Sequence, residues 1–356
     1  MRGTLRPPSP GPGAHAGRIV QLFTLINKNG LRLKVSDYGT IIMELHVPDR
    51  NGAFADVVLG HEDIAKYTNA TPYFGATIGR VANRIEGAVL DLDGERHQLY
   101  ANNGPHHLHG GKRGWDKVQW AAELREAPRG PEIHFSYTSP DGEEGYPGTV
   151  QAHTSYALTH DDELVITMRA TTDRPTVVNM AHHTYWNLGG HGSGSIEDHE
   201  LLLHADLYTP SAPVPNADPV PRGAVEPVAG TPFDFRVEKR IGQDLRAAGG
   251  SPPGFDHNWV VRGEADQLRP VARVRDPKSG RVLELSGNQP GVQFYAGKFL
   301  DGSLHGKGAT YEQYAGLCLE TQKFPNAVNV PAWRDQVQLV PGQTYEHVMV
   351  HRFRVE

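Results

Sequence analysis

No stretch of this 356-residue chain sustains a 3.6-residue apolar stripe for long. Short alternation with a period of two recurs instead, in runs such as "EIHFSYTSP", "VQAHTSYALTH", "ELVITMRATT", "GVQFYAGKFL" and "YEHVMVHRFRVE". Each run is strand-sized and rich in Val, Ile, Tyr or Thr, which suit a half-buried pleated surface. Gly (40) and Pro (27) punctuate the whole length, so long helices have little room to form. "PDRNGAFADVV", "DLDGER" and "DPKSGRVL" carry Asn-Gly, Asp-Gly or Ser-Gly hairpin signals. Helical candidates are confined to "EDIAKYTN" and "KRIGQDLRAA". The expected fold class is all-β, a large antiparallel β-sandwich with few short helices.

The expected organisation is a disordered Pro/Gly-rich tail over residues 1–17 and one β-sandwich domain over 18–356. The Pro-rich stretch "TPSAPVPNADPVPRGAVEPVAGTPFDF" keeps spaced apolar residues and reads as a long loop packed over the sandwich. A net charge of −6 with scattered basic residues argues against a nucleic-acid partner. No apolar run approaches the ~20 residues that span a bilayer, so no membrane role is expected. One cysteine, Cys318, forbids an intramolecular disulfide. Together with the lack of an export signal, this leads to a cytoplasmic expectation.

Polar clusters interrupt the alternation. "GRVANRI" sets Arg80, Asn83 and Arg84 on a segment bound for the interior, where an arginine needs strongly polar partners. "PHHLHGG" supplies His107 and His109, two apart and therefore on one face of a strand. That spacing also suits a metal, but no glutamate follows closely and no cysteine assists, so no metal is expected. "AHHTYWNL" supplies His182 and His183, of which only one can face a given side. "GFDHNW" supplies Asp256, "GVQFYAG" supplies Gln293, and Glu320 interrupts the apolar run "GLCLETQKF". Each has a bland alternative: Glu320 on a solvent face, the histidines satisfied in a core, Asp256 in a surface turn, Arg80 in a structural ion pair.

In this order the clusters resemble the aldose 1-epimerase, or galactose mutarotase, family. The matching segments are "GRVANRI", "LHGG", "HTYWNL", "DHN", "QFYAG" and "ETQKFPNA". His182 departs from the Asn or Gln that usually precedes the motif histidine. The resemblance implies a β-sandwich enzyme that interconverts α and β anomers of free aldohexoses without a cofactor. It implies Glu320 and His183 as the catalytic pair, and Asn83, Arg84, His109, Asp256 and Gln293 as sugar contacts. The partner it implies is a small monosaccharide, and the chain is expected to be a monomer or homodimer.

The chemistry fits those residue types. A hemiacetal opens when its anomeric hydroxyl loses a proton while the ring oxygen gains one, so a base and an acid must flank one bond. With ordinary values near ~4.3 for Glu and ~6.5 for His, Glu⁻ beside His⁺ is the natural starting order. Alternatives are a hexose-6-phosphate 1-epimerase, with Lys112 and Arg113 as phosphate ligands, a glycoside hydrolase using Asp256 and Glu320, and a catalytically silent sugar-binding protein.

Overall fold

The computed structural model describes residues 4–15, 18–68 and 72–356, with side chains from Ile19 onward. Alternation in the sequence becomes alternation in burial. Along Val150–Leu158, the side chains of Val150, Ala152, Thr154, Tyr156 and Leu158 are buried while Gln151 and His153 are exposed. Each large apolar side chain so placed contributes about 1.5–3 kcal/mol of transfer free energy.

That strand belongs to a nine-stranded antiparallel sheet. Its order is Ala121–Ala127, Gly130–Ser139, Val150–Leu158, Glu163–Thr172, Tyr345–Val355, Arg281–Gly287, Arg269–Arg275, Glu200–Leu203 and Lys239–Arg240. The last strand in the chain lies near the middle, bonded to Glu163–Thr172 on one side and Arg281–Gly287 on the other. It therefore ties the two halves of the sheet together. The inner face packs Phe135, Tyr156, Ile166 and Met168 into one apolar core with Trp115 and Trp186.

A five-stranded sheet is built from Thr4–His15, Arg18–Ile26, Arg32–Ser36, Ile42–Pro48 and Phe54–Asp56. Arg281 joins it to the rest: the buried guanidinium donates to the carbonyls of Val47, Ala53 and Leu188. Of the tail expected at residues 1–17, residues 1–3 and 16–17 lie outside the described residues. The backbone of Thr4–His15 runs as an edge strand beside Arg18–Ile26. Its register breaks between Arg6 and Ser9 and between Pro10 and Ala14. These are the intervals that hold Pro7, Pro8 and Pro12, which lack the N–H a ladder needs.

A second five-stranded sheet runs Glu226–Pro227, Leu207–Thr209, Asp256–Val260, Gly291–Tyr295 and Cys318–Gln322. It carries most of the polar residues singled out by sequence.

Turn chemistry worked as expected. Asp93 and Gly94, both at positive φ, close the hairpin between Val89–Leu92 and Glu95–Gln98. Asp276 accepts from the backbone N–H groups of Lys278 and Ser279 in the connection between Arg269–Arg275 and Arg281–Gly287. The helical candidates shrink to 3₁₀ turns at Ile64–Thr68 and Ile241–Gln243. Within the Pro-rich stretch, Ser211–Val214 and Ala217–Pro221 pair as a hairpin. No described helix is long and apolar enough to cross a membrane.

Candidate active site

The register of the second five-stranded sheet builds the site. Gln293 lies opposite both Asn258 and Glu320, and Tyr295 lies opposite both Asp256 and Cys318. Residues directly opposite share a face, as do residues two apart on one strand. Asp256, Asn258, Gln293, Tyr295, Cys318 and Glu320 therefore project from a single face. The Cys318–Gln322 strand is buried on both faces, so the solvent-facing alternative for Glu320 does not hold. Glu320 is 2% exposed, and its Oε2 has no hydrogen-bond partner among the described residues. Gln293 donates its side-chain amide to Asp256 Oδ1 at 2.8 Å, which orients both groups toward the cleft.

His183 arrives from a separate element. Ala181–His182 pairs with Thr77–Ile78, and just beyond it the backbone of His183 exchanges hydrogen bonds with Gly75 and Ala76. His182 points the other way, into a buried network. Tyr156 OH donates to the Thr40 carbonyl, which leaves its oxygen to accept from His182 Nε2, and the other ring nitrogen meets Thr184. The anchored backbone brings His183 Nε2 to 3.7 Å from Glu320 Oε1. Tyr185 stacks on the His183 ring at 5.2 Å between centroids, while its neighbour Trp186 packs on His351 in the core.

The opposite wall comes from the arginine segment. Arg84–Ile85 pairs with His107–Leu108. Asn83 and His109, just outside this pair, both take positive φ. Their backbones bond, and the Asn83 N–H donates to His109 Nδ1 at 3.2 Å. That bond leaves the proton of neutral His109 on Nε2, as a donor. Arg84 donates to Asn103 Oδ1 at 2.8 Å and Asp218 Oδ2 at 2.9 Å. Asn83, Arg84, Asp256 and Gln293 all line one cleft.

Burial controls the electrostatics. It pushes the Glu320 carboxyl well above the usual range, and Asp256 adds to the effect while Arg84 opposes it. Burial also lowers His183 to about 4, against the raising effects of a backbone hydrogen bond and of Asp256. The pair therefore favours neutral Glu320 beside neutral His183. This corrects the expectation from ordinary values, because desolvation outweighs the mutual attraction. His109 is lowered in the same way, with its burial as the main cause.

His109, His183 and Glu320 each bring a possible ligand atom within 4.8 Å of the others. The donor set nevertheless fits a metal poorly. A ligating imidazole donates from its second nitrogen, whereas His109 Nδ1 accepts.

Other sequence candidates have structural roles. Arg80 is buried among neutral oxygens rather than carboxylates: it donates to the Ser139 hydroxyl and to the carbonyls of Pro140, Pro147 and Gly148. His107 bonds the Tyr100 carbonyl and Tyr146 OH, each at 2.7 Å. Lys112 and Arg113 are exposed outside the cleft lining. Sequence reasoning missed Tyr73, whose ring lies 4.6 Å from His109 and 5.7 Å from His183. It also missed Asn103 and Asp218, the partners of Arg84. No spacing or motif marks these residues, because the tertiary fold alone brings them here.

The aldose 1-epimerase family model matches residues 21–352. The galactose mutarotase of Bos taurus is 44% identical over 93% of this chain and 93% of its own length. The aldose 1-epimerase of Escherichia coli is 33% identical over 96% and 97%. Among solved structures, the galactose 1-epimerase of Lactobacillus acidophilus superposes with a TM-score of 0.86 at 26% identity, covering 100% of this chain and 99% of that one. The chain belongs to the aldose 1-epimerase family.

Proposed function

We propose that this chain interconverts the α and β anomers of free aldohexoses such as glucose and galactose, with Glu320 and His183 as its proton-transfer pair. The observation that carries the reading is the 3.7 Å approach of His183 Nε2 to Glu320 Oε1 beside a cleft lined by hydroxyl-binding side chains. In the ring-opening direction Glu320 takes the proton from O1 as the C1–O1 bond becomes a carbonyl. The C1–O5 bond breaks, its electron pair goes to O5, and His183 delivers a proton there. Rotation about C1–C2 and the reverse transfers close the other anomer. Atoms and electrons balance within the sugar and the pair.

The pair carries one proton throughout. Before opening it is Glu⁻ and His⁺; after opening it is neutral on both sides. The neutral arrangement is the one burial favours, so desolvation supports the open-chain intermediate, and Arg84 moderates the effect by favouring Glu320 as an anion. Asn83, Arg84, His109, Asp256 and Gln293 hold the sugar hydroxyls in this reading. His109 acts as a donor through Nε2, and Asp256 as an acceptor.

Two alternatives lose support. The phosphate ligands Lys112 and Arg113 lie outside the cleft lining, and a silent binding protein has no need of the Glu320–His183 pair. The same reading takes residues 18–356 as one domain, the chain as a monomer or homodimer, and the cytoplasm as its compartment, in keeping with a free, buried Cys318. Polarimetry on freshly dissolved α-D-glucose and α-D-galactose tests the activity: relaxation well above the spontaneous rate is expected. Relaxation at the spontaneous rate for both sugars would end the assignment.

A further inference from the structure

We propose that Asp218 is a positioning residue for the epimerase reaction: it fixes the Arg84 guanidinium so that one of its nitrogens is left to bind a sugar hydroxyl. This rests on the aldose 1-epimerase reading of the cleft, in which Arg84 is a sugar contact.

Asp218 is delivered by the hairpin that pairs Ser211–Val214 with Ala217–Pro221. Asn216 takes φ +57° at its turn, a conformation that Asn tolerates better than most side chains. Asp218 and Pro221 line the same cleft as Arg84, Asp256 and Gln293. The main chain of the hairpin is seated on its surroundings as well. Asn326 donates its side-chain amide to the Pro221 carbonyl at 2.9 Å, and His106 Nε2 donates to the Asp218 carbonyl at 3.1 Å. The other nitrogen of His106 accepts from the Gly87 N–H at 3.2 Å, which leaves the proton on Nε2 for that bond.

The Arg84 side chain is only 14% exposed, so its charge is largely withdrawn from water. Nε donates to Asn103 Oδ1 at 2.8 Å and Nη2 to Asp218 Oδ2 at 2.9 Å. A guanidinium is planar, so two anchored nitrogens fix the direction of the third. Nη1 makes no hydrogen bond among the described residues and keeps its N–H groups for a ligand. Partial desolvation pulls the Asp218 carboxyl up, but Arg84 and a hydrogen bond from Asn103 bring it below the ordinary carboxylate value, so it meets the guanidinium as an anion. An ion pair in open water contributes little to stability. This one joins a largely buried arginine to a cleft wall whose main chain is itself held, and its effect is on orientation.

A double-mutant cycle tests the proposal, with wild type, Asp218→Ala, Arg84→Gln and the double variant assayed by polarimetry on D-galactose. Asp218→Ala should lower kcat/KM about tenfold, mainly through KM, because the guanidinium is no longer held for the sugar. In the Arg84→Gln background the same change should cost less than about twofold, since Asp218 acts through that side chain. Asp218→Asn keeps an acceptor oxygen without the charge and should lose less, about threefold. For any variant no faster than the spontaneous reaction, the galactose Kd from NMR titration reads the same cycle. Equal losses from Asp218→Ala in both backgrounds overturn the proposal, because Asp218 then acts by another route. An unchanged kcat/KM in Asp218→Ala or in Arg84→Gln overturns it too. Wild type that relaxes galactose at the spontaneous rate overturns the underlying assignment instead. If thermal melts show Asp218→Ala unfolded, the cycle with Asp218→Asn decides: a loss confined to the background with Arg84 is expected, and an equal loss in both, or none in either, overturns the proposal.

Discussion

Replacing Glu320 with Gln keeps the shape of the side chain and removes the proton acceptor, while His183→Asn removes the donor. Each change should lower kcat by about 10²–10⁴-fold, read by polarimetry. Glu320→Gln should not lower the melting temperature, because it deletes a desolvated carboxyl whose Oε2 has no protein partner. The pH profile of kcat/KM tests the one-proton pair. His183 sets the acid limb at about 4, and the alkaline limb is displaced upward with the Glu320 carboxyl. The alkaline limb should therefore fall above the ordinary carboxylate value of ~4.3, and a limb at that ordinary value would contradict the burial argument. Glu320 and His183 were legible in the sequence because each sits in a motif with a fixed offset. Their protonation was not, because desolvation is a property of the folded surroundings. Nor were Tyr73 and Asp218 legible, since they reach the cleft only through tertiary packing.

The segment His109–Gly110–Gly111 shows how a loop aims a side chain. Gly110 takes φ +86°, and a Cβ there would lie 1.8 Å from the Gly79 carbonyl oxygen. Gly110→Ala should destabilise by more than ~1 kcal/mol, the left-handed cost alone, and raise KM by displacing His109. Thermal melts and Michaelis curves on the variant measure both effects; unchanged values would show that the backbone can shift without moving the imidazole. At this scale strands were read well wherever one face is wet, as in Val150–Leu158. The Cys318–Gln322 strand defeated the same logic because both of its faces are covered. Prolines in the 209–235 region suggested a loop, yet one stretch folds as a hairpin and delivers Asp218 to Arg84.

Across the molecule, burial holds many histidines neutral. His107, His183, His199 and His351 are lowered to about 4, and His347 to about 3. Their folded values lie below the unfolded value of ~6.5, so the unfolded chain binds more protons and stability is lost as pH falls from that value toward 4. Each group costs on the order of 1 kcal/mol per pH unit over that interval, and together they rival the ~5–15 kcal/mol that keeps an ordinary domain folded. Melting temperature against pH should drop steeply below 6.5, with more than one proton taken up on unfolding. A flat curve down to pH 4 would refute the shared burial cause. The all-β class followed from periodicity, but the pairing of the final strand with two segments distant in the chain did not, since single-sequence alternation carries no information about partners. The concentration of reactive groups on one side of the Asp256–Val260, Gly291–Tyr295 and Cys318–Gln322 strands also limits how such a gene can diverge. Losing a single codon inside any of them would turn its catalytic row toward the greasy layer and its packing row toward the sugar. Point substitution is open to these strands, whereas changes of length are confined to the connections between them.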